Sequence, residues 1–112
     1  MADRRDGHLP PGIEYPALVR KVEVVVSNPS GLHARPATLF TKAASSFLSR
    51  ITVENLDRGK GPVDAKSILM LLTAGVSRGH RVCLTADGPD EDAAVDALVD
   101  LVTTGLGEAP IA

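Results

Sequence analysis

Four of the six residues from position 21 to position 26 are valines, and such a β-branched run predicts a β-strand. Val22, Val24 and Val26 share one side of that valine-rich stretch, as the core-facing positions of a strand do. The sequence Asn-Pro-Ser-Gly at positions 28–31 then ends the strand, because proline and glycine interrupt regular structure. We expect ordered structure to begin near Val19.

A helical repeat follows this break. Apolar residues recur at three- and four-residue spacing and predict a helix with one buried side, formed by Ala37, Phe40, Ala44 and Phe47. Pro36 is tolerated only in the first turn of a helix, because its nitrogen has no hydrogen to donate. The helix therefore begins at or just after His33.

The remaining patterns predict five further helices and strands. Ile51 with Val53 and Val63 with Ala65 indicate two short strands joined by a turn at 57–61. A short helix runs from Ser67 to about Thr73, and a strand with Val82, Leu84 and Ala86 facing inward covers 81–86. Asp90 is predicted to cap a last helix with the apolar stripe Ala94, Val95, Leu98, Leu101 and Val102. The order βαββαβα predicts an α+β fold, a four-stranded sheet with helices on one face.

The length of 112 residues fits one domain, which we place at 18–107. Three prolines interrupt the polar segment 1–17, and we interpret this segment as a flexible tail. An incorrectly assigned start codon would explain it equally well. Residues 108–112 are interpreted as a short C-terminal tail.

Charge and composition exclude several classes of function. A net charge of −2 argues against a nucleic-acid partner, and the absence of an apolar run of about 18 residues argues against membrane insertion. One cysteine fits a reducing, cytoplasmic location. One cysteine and three scattered histidines give no close pair of metal ligands, so we expect no metal and no cofactor.

His33 lies at the predicted helix start, where backbone N–H groups have no acceptor within the helix. Because Pro36 has no N–H, the free donors nearest the imidazole are the amides of Ala34 and Arg35. Aligned peptide dipoles favour an anion at this position, and the guanidinium of Arg35 can bond two phosphate oxygens at once. Gly31 lets the backbone turn tightly before the ring. The pattern predicts a nucleophilic imidazole beside a phosphate site.

No second catalytic group, such as a carboxylate that could activate water, accompanies this histidine in the sequence. A phosphoryl group bound there would therefore remain until the nucleophile of a partner arrives. We interpret the chain as a carrier, not as an enzyme that transforms a small molecule.

Residues 31–37, Gly-Leu-His-Ala-Arg-Pro-Ala, resemble the active-site signature of HPr, the histidine-containing phosphocarrier family of the bacterial phosphoenolpyruvate-dependent phosphotransferase system (PTS). Residues 65–75 are similar to the regulatory-serine segment of that family, and the resemblance covers approximately 20–107. It implies an open-faced β-sandwich, in which three helices cover one face of a four-stranded antiparallel sheet.

The resemblance also implies roles and partners. His33 matches the histidine that enzyme I phosphorylates on Nδ1, with a phosphoryl group from phosphoenolpyruvate, and Arg35 matches the arginine beside the phosphate. Ser30 lies where family members carry Asn or Ser. From His33 the group would pass to IIA domains of sugar transporters. Ser67 matches the serine that HPr kinase/phosphorylase modifies in many bacteria, although a helix-capping role explains it equally well.

Five consecutive apolar residues, 68–72, lie in the short second helix, which can bury only one side against a sheet. We expect Leu71 to point inward, and we expect a docking surface for partner proteins formed by Leu39, Ile68, Leu69 and Leu72. A tail or a dimer contact that covers these side chains is the alternative. We otherwise expect a monomer.

Two other functions remain open at this point. The chain could be a regulatory HPr-like binding module, or a carrier of a nitrogen-type branch that is controlled by phosphorylation of Ser67. A small phosphatase or acyl-transfer enzyme would need a group that activates water or stabilises an oxyanion, and the sequence offers none.

Overall fold

The computed structural model describes residues 19–108, so the predicted tail at 1–17 and residues 109–112 of the predicted tail at 108–112 lie outside the described residues. The elements follow the predicted order: β1 (Arg20–Val25), α1 (Ala34–Ser45), β2 (Arg50–Asn55), β3 (Lys60–Asp64), α2 (Ile68–Thr73), β4 (Arg81–Asp87) and α3 (Glu91–Thr103). No helix in this part of the chain is long and apolar enough to cross a membrane.

The four strands form one antiparallel sheet with the order β1-β4-β2-β3. Leu84 in β4 pairs with Val22 on one side and Val53 on the other, so the three apolar side chains form a row on the covered face. Cys83 points to the opposite face, where its Sγ lies 4.0 Å from Oγ1 of Thr85. The α+β open-faced sandwich is therefore confirmed.

The core lies between this sheet and the three helices. Alternation places Val82, Leu84 and Ala86 of β4 fully inside it. Helices α1 and α3 contact each other, and their predicted stripes supply Phe40 and Leu98, both completely buried. Burial of the stripe of α1 orients that helix on the sheet and so fixes where its first turn begins.

Asp90 behaves differently from its prediction as a capping residue. It occupies the N-cap position of α3, but its carboxylate makes no capping hydrogen bond to that helix. It accepts instead from the backbone N–H groups of Leu48 at 2.8 Å and Ser49 at 2.9 Å, and from the Ser49 hydroxyl. These hydrogen bonds lower the pKa of Asp90, because they stabilise its charged form. The carboxylate thus ties the α1–β2 turn to the start of α3.

We predict that Leu98→Ala lowers the free energy of unfolding by about 3 kcal/mol, because a fully buried leucine leaves a cavity when it is truncated. Urea denaturation followed by circular dichroism measures the change. Leu48→Ala is the matched control: its side chain is 81% exposed, so we expect a change within about 0.5 kcal/mol. Equal losses in the two variants would contradict this assignment of the core.

Candidate functional site

His33 is the N-cap residue of α1, at the predicted position. Its backbone is extended, with φ −129° and ψ 162°, and its imidazole makes no capping hydrogen bond to the helix. The ring is partly exposed, whereas Pro36, the third residue of the helix, is buried. The imidazole is therefore reachable by a partner and lies at the positive end of the helix dipole.

The first turn of α1 provides backbone donors beside this ring. Within residues 19–108, the N–H groups of Ala34 and Arg35 have no hydrogen-bond acceptor, as expected for the first residues of a helix. Ala34 has φ +51°, in the left-handed region, which costs a residue with a Cβ about 1–2 kcal/mol. Arg35 is exposed, and no carboxylate of the described chain pairs with its guanidinium. The predicted residues thus lie together at one helix start.

The loop before His33 is held against the α2–β4 connection by its backbone. The N–H of Leu32 donates to the carbonyl of Val76 at 2.9 Å, and the Leu32 side chain is fully buried. Gly31 has φ +62°, and a Cβ there would collide with the Val76 carbonyl and lie 2.8 Å from the Cα of Ser77. Only glycine fits so close an approach of two backbones.

The α2–β4 connection is itself braced by His80, which the sequence alone leaves without a partner. Nδ1 of His80 accepts the N–H of Ser77 at 3.0 Å and lies 3.2 Å from Nδ2 of Asn55. Nδ2 of Asn55 also donates to the carbonyl of Ala74 at 3.0 Å, and Asn55 is completely buried. The His80 ring therefore helps to shape the segment that receives the histidine loop.

Glu108, the first residue of the predicted C-terminal tail, binds the same loop from the other side. Its Oε1 accepts from Nδ2 of Asn28 at 2.8 Å and from the N–H of Ser30 at 2.9 Å, and its Oε2 accepts from the Ser30 hydroxyl at 2.7 Å. These hydrogen bonds lower the pKa of Glu108, the Asn28 amide being the largest cause. Sequence reasoning missed this residue, since nothing local links positions 28–30 to position 108.

Ser67 is the N-cap residue of α2, and its hydroxyl accepts the N–H of Met70 at 3.2 Å. The capping role is therefore present in the structure. The side chain is partly exposed, and it stands at the start of the apolar helix.

Helix α2 exposes most of its apolar residues. Leu71 is fully buried, as predicted, while Leu69 is 72% exposed and Ile68 and Leu72 are each 40% exposed. Met70, which the sequence analysis did not select, is 43% exposed and extends the same surface. We call these four exposed side chains the α2 surface: Ile68, Leu69, Met70 and Leu72.

Leu39 lies outside the α2 surface, on the first helix. It is only partly exposed, because the chain after α3 runs over it: a Cβ added at Gly107 would lie 2.8 Å from Cδ1 of Leu39. The C-terminal loop therefore covers part of Leu39, which was expected to belong to the docking surface for partner proteins.

Residues 20–104 match the family model described as the PTS HPr component phosphorylation site. The chain is 42% identical over 85 residues to the phosphocarrier protein HPr of Haemophilus influenzae, an alignment that covers 76% of this chain and 94% of that protein. It is also 42% identical over 90 residues to the multiphosphoryl transfer protein of Salmonella typhimurium, covering 80% of this chain. The chain spans about a quarter (24%) of the length of that larger relative.

Solved structures of similar chains have the same fold. HPr-C-His from Thermoanaerobacter tengcongensis superposes with a TM-score of 0.75 at 46% identity, covering 80% of this chain and 98% of that one. An HPr dimer from the same organism gives a TM-score of 0.62 at 47% identity, covering 76% of this chain and 94% of that one.

We predict that Gly31→Ala lowers the free energy of unfolding by about 3 kcal/mol, because its Cβ would force the loop away from Val76. Gly59→Ala is the matched control. Gly59 has the same φ of +62° with no atom within 4 Å of an added Cβ, so only the conformational cost of about 1 kcal/mol is expected. Urea denaturation of both variants measures the difference, and equal losses would show that the close approach does not exist.

Proposed function

The chain belongs to the HPr family of the phosphotransferase system, and we propose that it carries a phosphoryl group on His33 between two partner proteins. The observation that carries this proposal is the position of His33: a partly exposed imidazole at the N-cap of α1, next to the unpaired N–H groups of Ala34 and Arg35. A dianionic group bound to the ring would meet these donors without a metal ion.

The transfer step exchanges the bond between the donor and phosphorus for a phosphorus–nitrogen bond on His33. A lone pair of the His33 imidazole, on Nδ1 by resemblance to the family, attacks the phosphorus, while the bond to the donor breaks and returns its electron pair to the donor. The guanidinium of Arg35 and the dipole of α1 stabilise the charge on the phosphoryl oxygens. In the onward step a nucleophile of the next protein attacks the phosphorus, and the phosphorus–nitrogen bond to His33 breaks and returns its electron pair to the imidazole.

The environment of Glu108 supports a carrier over a hydrolase. Glu108 is a carboxylate close to the histidine loop, so it is the group that could activate water. Its two oxygens already accept three hydrogen bonds, and its lowered pKa makes it a weak base at neutral pH. The phosphoryl group on His33 therefore waits for a protein acceptor.

We propose enzyme I as the donor and IIA domains as the acceptors, in the cytoplasm. The multiphosphoryl transfer protein joins a segment similar to this chain to a longer polypeptide, which supports transfer between protein domains. The loop, the α2–β4 connection and Glu108 that surround His33 all belong to one chain, so a monomer suffices for transfer. Phosphorylation of Ser67 by a kinase would place about two negative charges at the start of α2, beside the surface proposed for docking.

We predict that enzyme I and radiolabelled phosphoenolpyruvate label this chain with one phosphoryl group, which is labile to acid and stable to base. His33→Ala should abolish the label, because among the described residues no other histidine stands at a helix start beside free backbone N–H donors. His80→Asn is the matched control and should retain the label, because an asparagine Oδ1 can accept the hydrogen bonds that His80 Nδ1 receives from Ser77 and Asn55 and so keeps the α2–β4 connection in place. A folded wild-type chain that accepts no label would overturn the carrier function and favour a regulatory binding module.

We predict that Leu69→Ser raises the KM of this chain as a substrate of enzyme I about tenfold and leaves kcat unchanged, because Leu69 contributes apolar area to docking and lies outside the transfer site. Val25→Ser is the control, since Val25 is 49% exposed on the uncovered face of the sheet. Steady-state kinetics with varied carrier concentration measures both constants. An unchanged KM for Leu69→Ser would exclude the α2 surface as the docking site.

A further inference from the structure

We propose that Glu108 is a positioning residue for phosphoryl transfer: its carboxylate fixes the loop 28–31 and thereby holds the His33 imidazole in its reactive position. This inference rests on the carrier function proposed above and adds a residue of the chain's end to its machinery. Glu108 touches neither the phosphoryl group nor the ring in this proposal, so its role is exerted through Ser30 and Asn28.

The hydrogen bonds of Glu108 converge on two residues of that loop. Ser30 donates both its N–H and its hydroxyl to the carboxylate, at 2.9 and 2.7 Å. Asn28, which is only 3% exposed, donates Nδ2 both to Glu108 and to the carbonyl of Gly31, at 2.8 and 3.0 Å. One carboxylate therefore restrains the loop at two positions, Asn28 and Ser30.

The carboxylate is supplied by an ordered turn. After α3 the backbone takes left-handed φ values at Gly105, Leu106 and Gly107, of 98°, 52° and 79°. The Leu106 side chain is fully buried, and the N–H of Glu108 donates to the carbonyl of Gly105 at 2.9 Å. Because the turn is anchored in the core, Glu108 reaches the loop from a fixed point.

We call the hydrogen bonds of Glu108 to Asn28 and Ser30 the clamp. The clamp determines which N–H groups remain free to bind the phosphoryl group. Both donors of Ser30 are occupied by Glu108, so they do not compete with the N–H groups of Ala34 and Arg35 for phosphoryl oxygens. Without Glu108 the loop keeps the hydrogen bond from Leu32 to Val76 but loses its restraint three residues before His33. The imidazole would then sample orientations that do not face the donor protein.

Two substitutions distinguish the effect of the loop's position on transfer from the effect of the negative charge of Glu108. Glu108→Ala removes every hydrogen bond of the side chain. Glu108→Gln keeps an oxygen that accepts from Asn28 and from the Ser30 N–H, and its amide can donate to the Ser30 hydroxyl, whose oxygen also accepts. A positioning role therefore predicts a loss in the alanine variant and a rescue in the glutamine variant.

The experiment measures steady-state transfer from enzyme I to the full-length variants at pH 7.5. We expect Glu108→Ala to lower kcat about three- to tenfold with KM unchanged, because the α2 surface is intact, and Glu108→Gln to restore kcat to within about twofold. Asp100→Ala is the control for the lost charge. Asp100 is exposed on α3, and its side chain has no hydrogen bond among the described residues, so its kcat should equal that of the wild type.

Amide hydrogen exchange tests the clamp independently of phosphorylation. The Ser30 amide should exchange at least about tenfold faster in Glu108→Ala than in the wild type and at close to the wild-type rate in Glu108→Gln. This readout remains available if no label is transferred, so failure of the carrier function and failure of the clamp are distinguishable. Unchanged exchange in Glu108→Ala, or equal kcat values for the wild type and this variant, would overturn the proposal.

A double-mutant cycle with Ser30→Ala excludes a direct role of the Ser30 hydroxyl. If Ser30 acts through Glu108, Ser30→Ala lowers kcat in the wild-type background and has little further effect in Glu108→Ala. If the hydroxyl binds the phosphoryl group itself, the loss is the same in both backgrounds, and that result would overturn the clamp as the function of this contact.

Discussion

The contact between the backbones of residues 31–32 and 76–77 is the constraint on which the site depends. The N–H of Leu32 donates a hydrogen bond to the carbonyl of Val76, and Gly31 lies so close to Val76 that a Cβ at this position would collide with it. Because Leu32 is fully buried, the next residue, His33, must emerge at the surface as α1 begins. The His33 ring is therefore positioned by the packing of its neighbours, while the ring itself makes no capping hydrogen bond.

Local patterns were sufficient to predict the elements and the histidine. The alternation in β4, the stripe of α1 and the proline in its first turn each depend on neighbours within a few residues, so the sequence displays them directly. Asp90 shows the limit of such rules. It stands at the N-cap of α3, but its carboxylate accepts hydrogen bonds from the N–H groups of Leu48 and Ser49, which folding brings near, and not from the helix. Composition and spacing carry no information about that competition.

Glu108 and His80 were missed for the same physical reason. Glu108 binds Ser30 across a separation of 78 positions, and His80 contacts Asn55 across 25 positions. Hydrogen bonds of this range have no periodicity and no local motif, so only the folded arrangement reveals them. The sequence predicts the parts of the site that belong to the start of α1, namely His33 and the free N–H groups of the first turn. The supports that hold this helix start in place come from distant segments.

The strand order of the sheet has a consequence for folding during synthesis on the ribosome. Strand β1 is made first, yet among the described strands it pairs only with β4, whose first residue is Arg81. The histidine loop likewise meets Val76 and Glu108 only after nearly the whole domain has left the exit tunnel. A nascent chain that stops short of these residues lacks the contacts that position His33. The surroundings of His33 are therefore complete only once synthesis of the domain is complete.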